Sequence, residues 1–216
     1  MKKTFVTIII VVFTIAITNA QTFGVKLGPN LSKYSYNYDS SLDKYQQMFF
    51  GFHIGGFAEF EVSEKLIFQP ELVYYLQGNK HKIDNNLEFI SKQSYLNLPI
   101  MAKYYVTEEF NIQAGPQISF LLTSKDNFKG SNLLLPDGSI NDTVFNNTNN
   151  SVNTKEDYKN IDFGLNFGVE YKMNNRISFD LRYNLGLTDL VKNRANNNDN
   201  TMKNSVFSFS VDYTFN

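Results

Sequence analysis

Two histidines and no cysteine leave this 216-residue chain few groups suited to covalent chemistry. His53 lies between Phe52 and Ile54, and His81 between Lys80 and Lys82. Nucleophilic or general-base catalysis needs a base held beside a nucleophile and oriented by a third group. No serine stands in a nucleophile motif, and no acid is spaced to orient either imidazole. The sequence therefore places His53 on an interior face as a polar filler and His81 in a solvated loop. Asp137, Asp142, Glu156 and Asp157 lack the spacing that organises a calcium loop. Without cysteine there is no disulfide framework, thiolate metal site or lipidated N-terminal Cys. The expectation is no catalytic residue, no metal and no cofactor.

The remaining chemistry is ionic. Lys26, Glu59, Glu71, Lys103, Glu170, Asp180, Arg182 and Asp212 each interrupt an otherwise apolar alternation, as in ISFDLRYNLGL at 177–187. There Ile177, Phe179, Leu181, Tyr183, Leu185 and Leu187 fall on one face of a strand, and Asp180 and Arg182 on the other. Charges gathered on one enclosed face are costly unless paired. The chemistry expected of these eight residues is an ion-pair network.

The elements that must position them are strands. Alternating segments run over roughly 22–35, 48–61, 66–78, 94–106, 110–123, 160–172, 176–187 and 205–215. Most reach the roughly 9–11 residues that a tilted transmembrane strand requires. Their connections alternate. Residues 62–65, 107–109 and 173–175 are tight turns, whereas 36–47, 79–93, 124–159 and 188–204 are long and polar. This segregation predicts an all-β fold, an eight-stranded antiparallel up-and-down barrel with both termini on the short-turn side. Pro70, Pro99 and Pro116 lack a ladder donor and are expected at bulges or strand ends.

Which face is outside follows from bulk. One face is a continuous band of Phe, Leu, Ile, Val and Tyr. The other carries the charges, with Asn30, His53, Gln69, Asn97, Gln113, Gln117 and Asn166, and nearly all the strand glycines, Gly56 excepted. A narrow lumen needs small residues beside long charged ones, so the greasy face is predicted to meet lipid. Strands three and seven lie half a turn apart in such a closure, which lets Glu71 face Arg182 across the lumen. The segments 57–72 and 168–183 also align at a constant offset of 111, matching Glu59 to Glu170 and Glu71 to Arg182.

The chain opens MKKTFVTIIIVVFTIAITNAQ, a basic start, an apolar run too short to span comfortably and a small residue at Ala20. This reads as a cleaved signal peptide over 1–20, leaving 21–216 as one outer-membrane barrel domain. Loss of Lys2 and Lys3 takes the net charge from −1 to −3, which gives no reason to expect nucleic acid.

FGVKLGPN, LIFQPELVYYLQG, YLNLPIMAKYY, IQAGPQISFLL, DFGLNFGVEY and LRYNLGLTDL occur in that order. Together they resemble the PorT-like "porin family" outer-membrane β-barrel proteins of Bacteroidota. The resemblance covers the mature chain and implies an eight-stranded outer-membrane barrel, but no activity. It also implies passage through the barrel-assembly machinery. The last strand, VFSFSVDYTFN, looks like the signal that machinery reads, although Asn216 rather than an aromatic stands last. Asp142-Thr143-Val144 resembles the short O-glycosylation signal of that phylum.

The function expected is that of a monomeric integral outer-membrane protein with a largely filled lumen, working structurally or by binding through its surface loops. Its surroundings are outer-membrane lipid and an unidentified surface or periplasmic protein partner. Leu133, Leu134 and Leu135, in an otherwise polar loop, are a candidate contact or plug. A narrow pore for small solutes is the alternative, and a lipid-modifying enzyme a further one disfavoured by the missing constellation.

Overall fold

A computed structural model of the chain describes residues 22–37, 45–82, 87–130, 151–192 and 200–215. Residues 1–20, expected as a signal peptide, Leu133–Leu135, Asp137 and Asp142–Val144 lie outside them. Eight long strands account for most of the rest: β1 (Thr22–Tyr36), β2 (Phe49–Ser63), β3 (Leu66–Lys82), β4 (Leu87–Tyr105), β5 (Phe110–Gly130), β6 (Ile161–Lys172), β7 (Ile177–Gly186) and β8 (Met202–Thr214). Each pairs antiparallel with its sequence neighbour, and β1 pairs with β8, so the sheet closes on itself with no free edge in the barrel wall. Closure satisfies the main-chain donors and acceptors that a bilayer would leave stranded.

The alternation decides the two faces. Exposed and half-buried apolar side chains run around the outside from Phe23–Leu31 on β1 through Phe50–Phe60, Phe68–Leu76, Leu96–Tyr104, Ile112–Leu122, Phe163–Tyr171 and Ile177–Leu185 to Phe207–Phe215. Phe50 is 71% exposed, while Asp180 and Asp212 are wholly buried. A water-soluble barrel would show the reverse. This outer band marks the membrane-spanning part of each strand. Tight turns close the periplasmic end. Asn174 Oδ1 accepts from the main-chain N–H groups of Arg176 and Ile177 at 2.8 and 2.9 Å, and Thr107 Oγ1 accepts from Phe110 N at 3.1 Å.

Three sequence expectations change in the structure. The stretch expected as a loop over 79–93 is mostly a hairpin standing above the band. Gly78–Lys82 pair with Glu88–Lys92, and Leu87–Ser94 with Thr123–Gly130. Polar and apolar residues mixed on both faces, with Phe89 on one and Ile90 on the other, hide a strand from periodicity, yet beyond the membrane the ladder needs no apolar face. The same holds for 124–130, against which Ser151–Asn153 adds a short strand. The prolines are not bulges or strand ends. Pro70, Pro99 and Pro116 sit mid-strand in unshifted register, and the shifts fall at Glu61–Ser63 and Ser94–Tyr95.

The glycines face the lumen as expected, for a different reason. A Cβ on Gly28 would run into the Phe209 carbonyl of the adjoining strand, and one on Gly115 into that of Ile100. What they make room for there is the neighbouring backbone of a tightly coiled wall.

Candidate functional site

The eight charged residues singled out in the sequence are all buried in the barrel interior. Arg182 on β7 donates from Nη1 to Glu71 Oε2 at 2.9 Å and from Nη2 to Glu71 Oε1 at 3.0 Å, a bidentate pair across the lumen. Its Nη2 also reaches Asp180 Oδ2 at 2.6 Å and Gln113 Oε1 at 2.9 Å. Lys26 on β1 projects its ammonium among Asp180 at 3.0 Å, Asp212 at 3.3 Å and Glu71 at 3.4 Å. Nearer the periplasmic end, Lys103 joins Glu170 at 2.7 Å to Glu59 at 3.0 Å. Asn111 and Gln69 donate to Glu170 and Glu71 at 3.0 and 2.6 Å.

The internal offset of 111 residues reappears in space. β2–β3 and β6–β7 are hairpins on opposite sides of the ring, so matched positions meet. Glu59 and Glu170 share Lys103, and Glu71 grips Arg182.

Three cations face five carboxylates here. Glu170, Asp180 and Asp212 each bring an oxygen within 4.8 Å of the others, the geometry a small cation would use. The ammonium groups of Lys26 and Lys103 already stand against these oxygens, so the donor set fits ion pairs better than a metal. In the sequence, metal binding comes into question only for the acids of the long loop, which lack ligand spacing, and this trio is not grouped as one cluster of oxygens.

Above the network the lumen is packed in layers. His53 Nε2 lies 2.7 Å from Ser210 Oγ, and its ring stacks on Tyr75 at 4.8 Å between centroids. This Ser–His contact is unseen in the sequence and lacks the third group that orients a catalytic imidazole. Both residues are buried, and His53 Nδ1 has no hydrogen-bonding partner among the described residues to orient the ring. Asn184 donates to Asn166 at 3.0 Å, and Asn166 to Gln117 at 3.1 Å. Between these layers a cavity of about 10 Å³ remains, lined by Tyr75, Gln77, Asn97, Gln117, Asn184, Val206 and Ser208. That is room for about one water.

An apolar lid of described residues packs at the extracellular end, another feature the sequence leaves unread. Leu190, from the connection between β7 and β8, is 1% exposed and packs on Tyr34 and Met202, with Tyr36, Tyr158 and Val191 around them. Main-chain bonds stitch it down. Leu190 N donates to Met202 O at 2.8 Å, Lys159 N to Leu190 O at 2.8 Å, and Lys192 N to Asp157 O at 2.9 Å. The available signal was the Leu190–Val191 pair inside an Asn- and Lys-rich segment. His81 also departs from expectation. It is an inward residue of β3, buried beside Asn79, whose Nδ2 lies 3.2 Å from its Nδ1, because the hairpin continues past the membrane. Beside the lid, buried Asp126 accepts from Ser91 Oγ. Burial pushes its carboxyl above the usual range, against the opposing effect of hydrogen bonds from Ser91 and Thr154.

The periplasmic end is open by comparison. A cavity of about 520 Å³ lies there among Glu61, Lys65, Ile67, Tyr105, Glu108 and Lys172.

Residues 19–192 match the family described as "Outer membrane protein beta-barrel domain". No curated protein matches the sequence. Among solved structures, the chain is similar to Ail, the attachment invasion locus protein of Yersinia pestis, at 11% identity and TM-score 0.49, covering 90% of this chain and 98% of that one. Neisserial surface protein A is similar at 17% identity and TM-score 0.47, covering 89% and 97%. The outer membrane protein OprG from Pseudomonas aeruginosa is similar at 12% identity and TM-score 0.46, covering 91% and 97%. At these values the likenesses carry no reading of what the chain does. The family match, with a closed eight-stranded ring that is apolar outside and charged within, leads to one conclusion: this chain belongs to the outer membrane protein β-barrel domain family.

Proposed function

We propose that this protein is a closed, non-conducting barrel whose work is structural or is done by its surface loops, without catalysis or a cofactor. The observation that carries this reading is the filled lumen, an ion-pair network, stacked polar layers and an apolar lid in series with a cavity of about 10 Å³ between layers. An eight-stranded closure is just wide enough for side chains to fill, and water-filled channels use more strands. The pore reading is therefore second. The proposal includes export through a signal peptide cleaved after Ala20, assembly as a monomer by the barrel-assembly machinery, and a place among the PorT-like barrels of Bacteroidota on the sequence motifs given above. An unidentified surface or periplasmic protein partner remains part of it.

Liposome swelling tests the reading. Vesicles carrying the refolded protein are expected to swell in small sugars or amino acids no faster than protein-free vesicles. Swelling that scales with the amount of folded protein would favour the pore.

A further inference from the structure

The outer wall has a groove where β7, β8 and β1 meet the extracellular rim. It encloses about 400 Å³ and is lined by Leu31, Lys33, Met48, Tyr183, Ser205 and Phe207. The reason for the depression is Ser205, a small residue among large ones. Its hydroxyl lies 3.0 Å from Tyr183 OH, which draws that ring down beside it. Phe207 and Leu31 are cross-strand partners in an upper row of the apolar band, and both are exposed. The groove is thus apolar along its membrane side and ends in polar groups where the membrane ends.

At that end Lys33 lines the groove, and half-buried Lys203 stands at the next outward level beside it. Lys33 is exposed and pairs in register with Ser205, while Lys203 pairs with Ser35, the next outward position on β1. This diagonal spacing on one sheet face puts their side chains within reach of a single group, roughly 7–8 Å apart at the backbone. Neither ammonium has an ionic or hydrogen-bonding partner among the described residues, unlike Lys80, which Glu88 engages at 2.8 Å. The cross-strand neighbours on their face are the hydroxyl residues Ser35 and Ser205, with no carboxylate among them.

We propose that this groove holds a phosphate-bearing lipid of the outer leaflet. One acyl chain lies along Leu31, Phe207 and Tyr183, and the phosphate is held between Lys33 and Lys203, with the hydroxyls of Ser35 and Ser205 nearby. A lipid rather than a soluble ligand is indicated because the apolar half of the groove opens into the bilayer. A phosphate is indicated because two lysines without an ionic partner among the described residues stand at diagonal positions of one sheet face where headgroups lie. The proposal rests on the membrane placement of the barrel and not on closure of its lumen.

The test uses the full mature chain in phosphatidylcholine nanodiscs, titrated with diphosphoryl lipid A and with its dephosphorylated form, with bound lipid read by native mass spectrometry. Wild type is expected to retain the phosphorylated lipid at least tenfold more tightly than the dephosphorylated one. Lys33→Gln/Lys203→Gln is expected to abolish that preference. Ser205→Leu, which fills the groove, is expected to weaken both lipids. Heat-modifiable gel migration identifies folded samples, and these substitutions lie on the outer face, clear of the lumen network. Equal retention of the two lipids by wild type, or an unchanged preference in the lysine variant, would overturn the proposal. So would inorganic phosphate displacing the lipid at equal concentration, since the groove would then add nothing.

Discussion

Arg182 reaches Glu71, Asp180 and Gln113 at once, so its removal leaves two buried acids short of a cation. Lys26 touches both but is shared with Asp212. Breaking a buried pair from one side costs about 3–5 kcal/mol, whereas replacing both partners with apolar residues of similar size can be neutral. Arg182→Ala is therefore expected to lower unfolding free energy in urea by about 3–5 kcal/mol. Arg182→Met with Glu71→Met is expected to recover much of that loss. Asp126 gives a pH dependence outside the membrane. Its carboxyl is raised by burial, so between the ordinary Asp range near pH 4 and its raised value the folded mouth holds a proton that the unfolded chain has released. Stability from this group is present at lower pH and is lost as pH rises through that window. Amide exchange around Ser124 and Tyr158 is expected to quicken as pH rises there, beyond intrinsic chemistry, and Asp126→Asn is expected to flatten the trend.

Among the elements, the strands inside the membrane were legible because burial there is one-sided. Lipid outside and a charged lumen inside impose a period of two, and Lys26, Glu59, Glu71, Lys103, Glu170, Asp180, Arg182 and Asp212 all fall where alternation puts them. The strand extensions at 79–93 and 124–130 were not legible, because in water neither face must be apolar. Bulky lumen residues such as Tyr75, Tyr95 and Met101 were hidden by the same rule, since alternation reads bulk as lipid-facing. The Leu190–Val191 pair hints at the lid, but the distant connection it packs against is recorded by no local pattern. Leu190→Ala is expected to lower the free energy of local opening by roughly 2–5 kcal/mol, the usual cost of a truncated buried leucine. Hydrogen exchange at Leu190 and Lys192 measures it, and unchanged protection would mean the lid is not held by this side chain.

At the scale of the whole molecule, the described lumen is filled in three layers along one axis. Ion pairs fill the periplasmic half, polar amides and the His53–Tyr75 stack fill the middle, and the Leu190 cluster packs at the extracellular end. The ion-pair layer joins strands on opposite sides of the ring, whereas the lid joins two connections and the neighbouring β1 and β8. The measurement that bears on this most directly is single-channel recording of the refolded wild-type protein in a planar bilayer. A silent baseline is expected at neutral pH, with steps appearing in Arg182→Ala combined with Leu190→Ala. Reproducible conductance steps from the wild type would contradict a closed barrel.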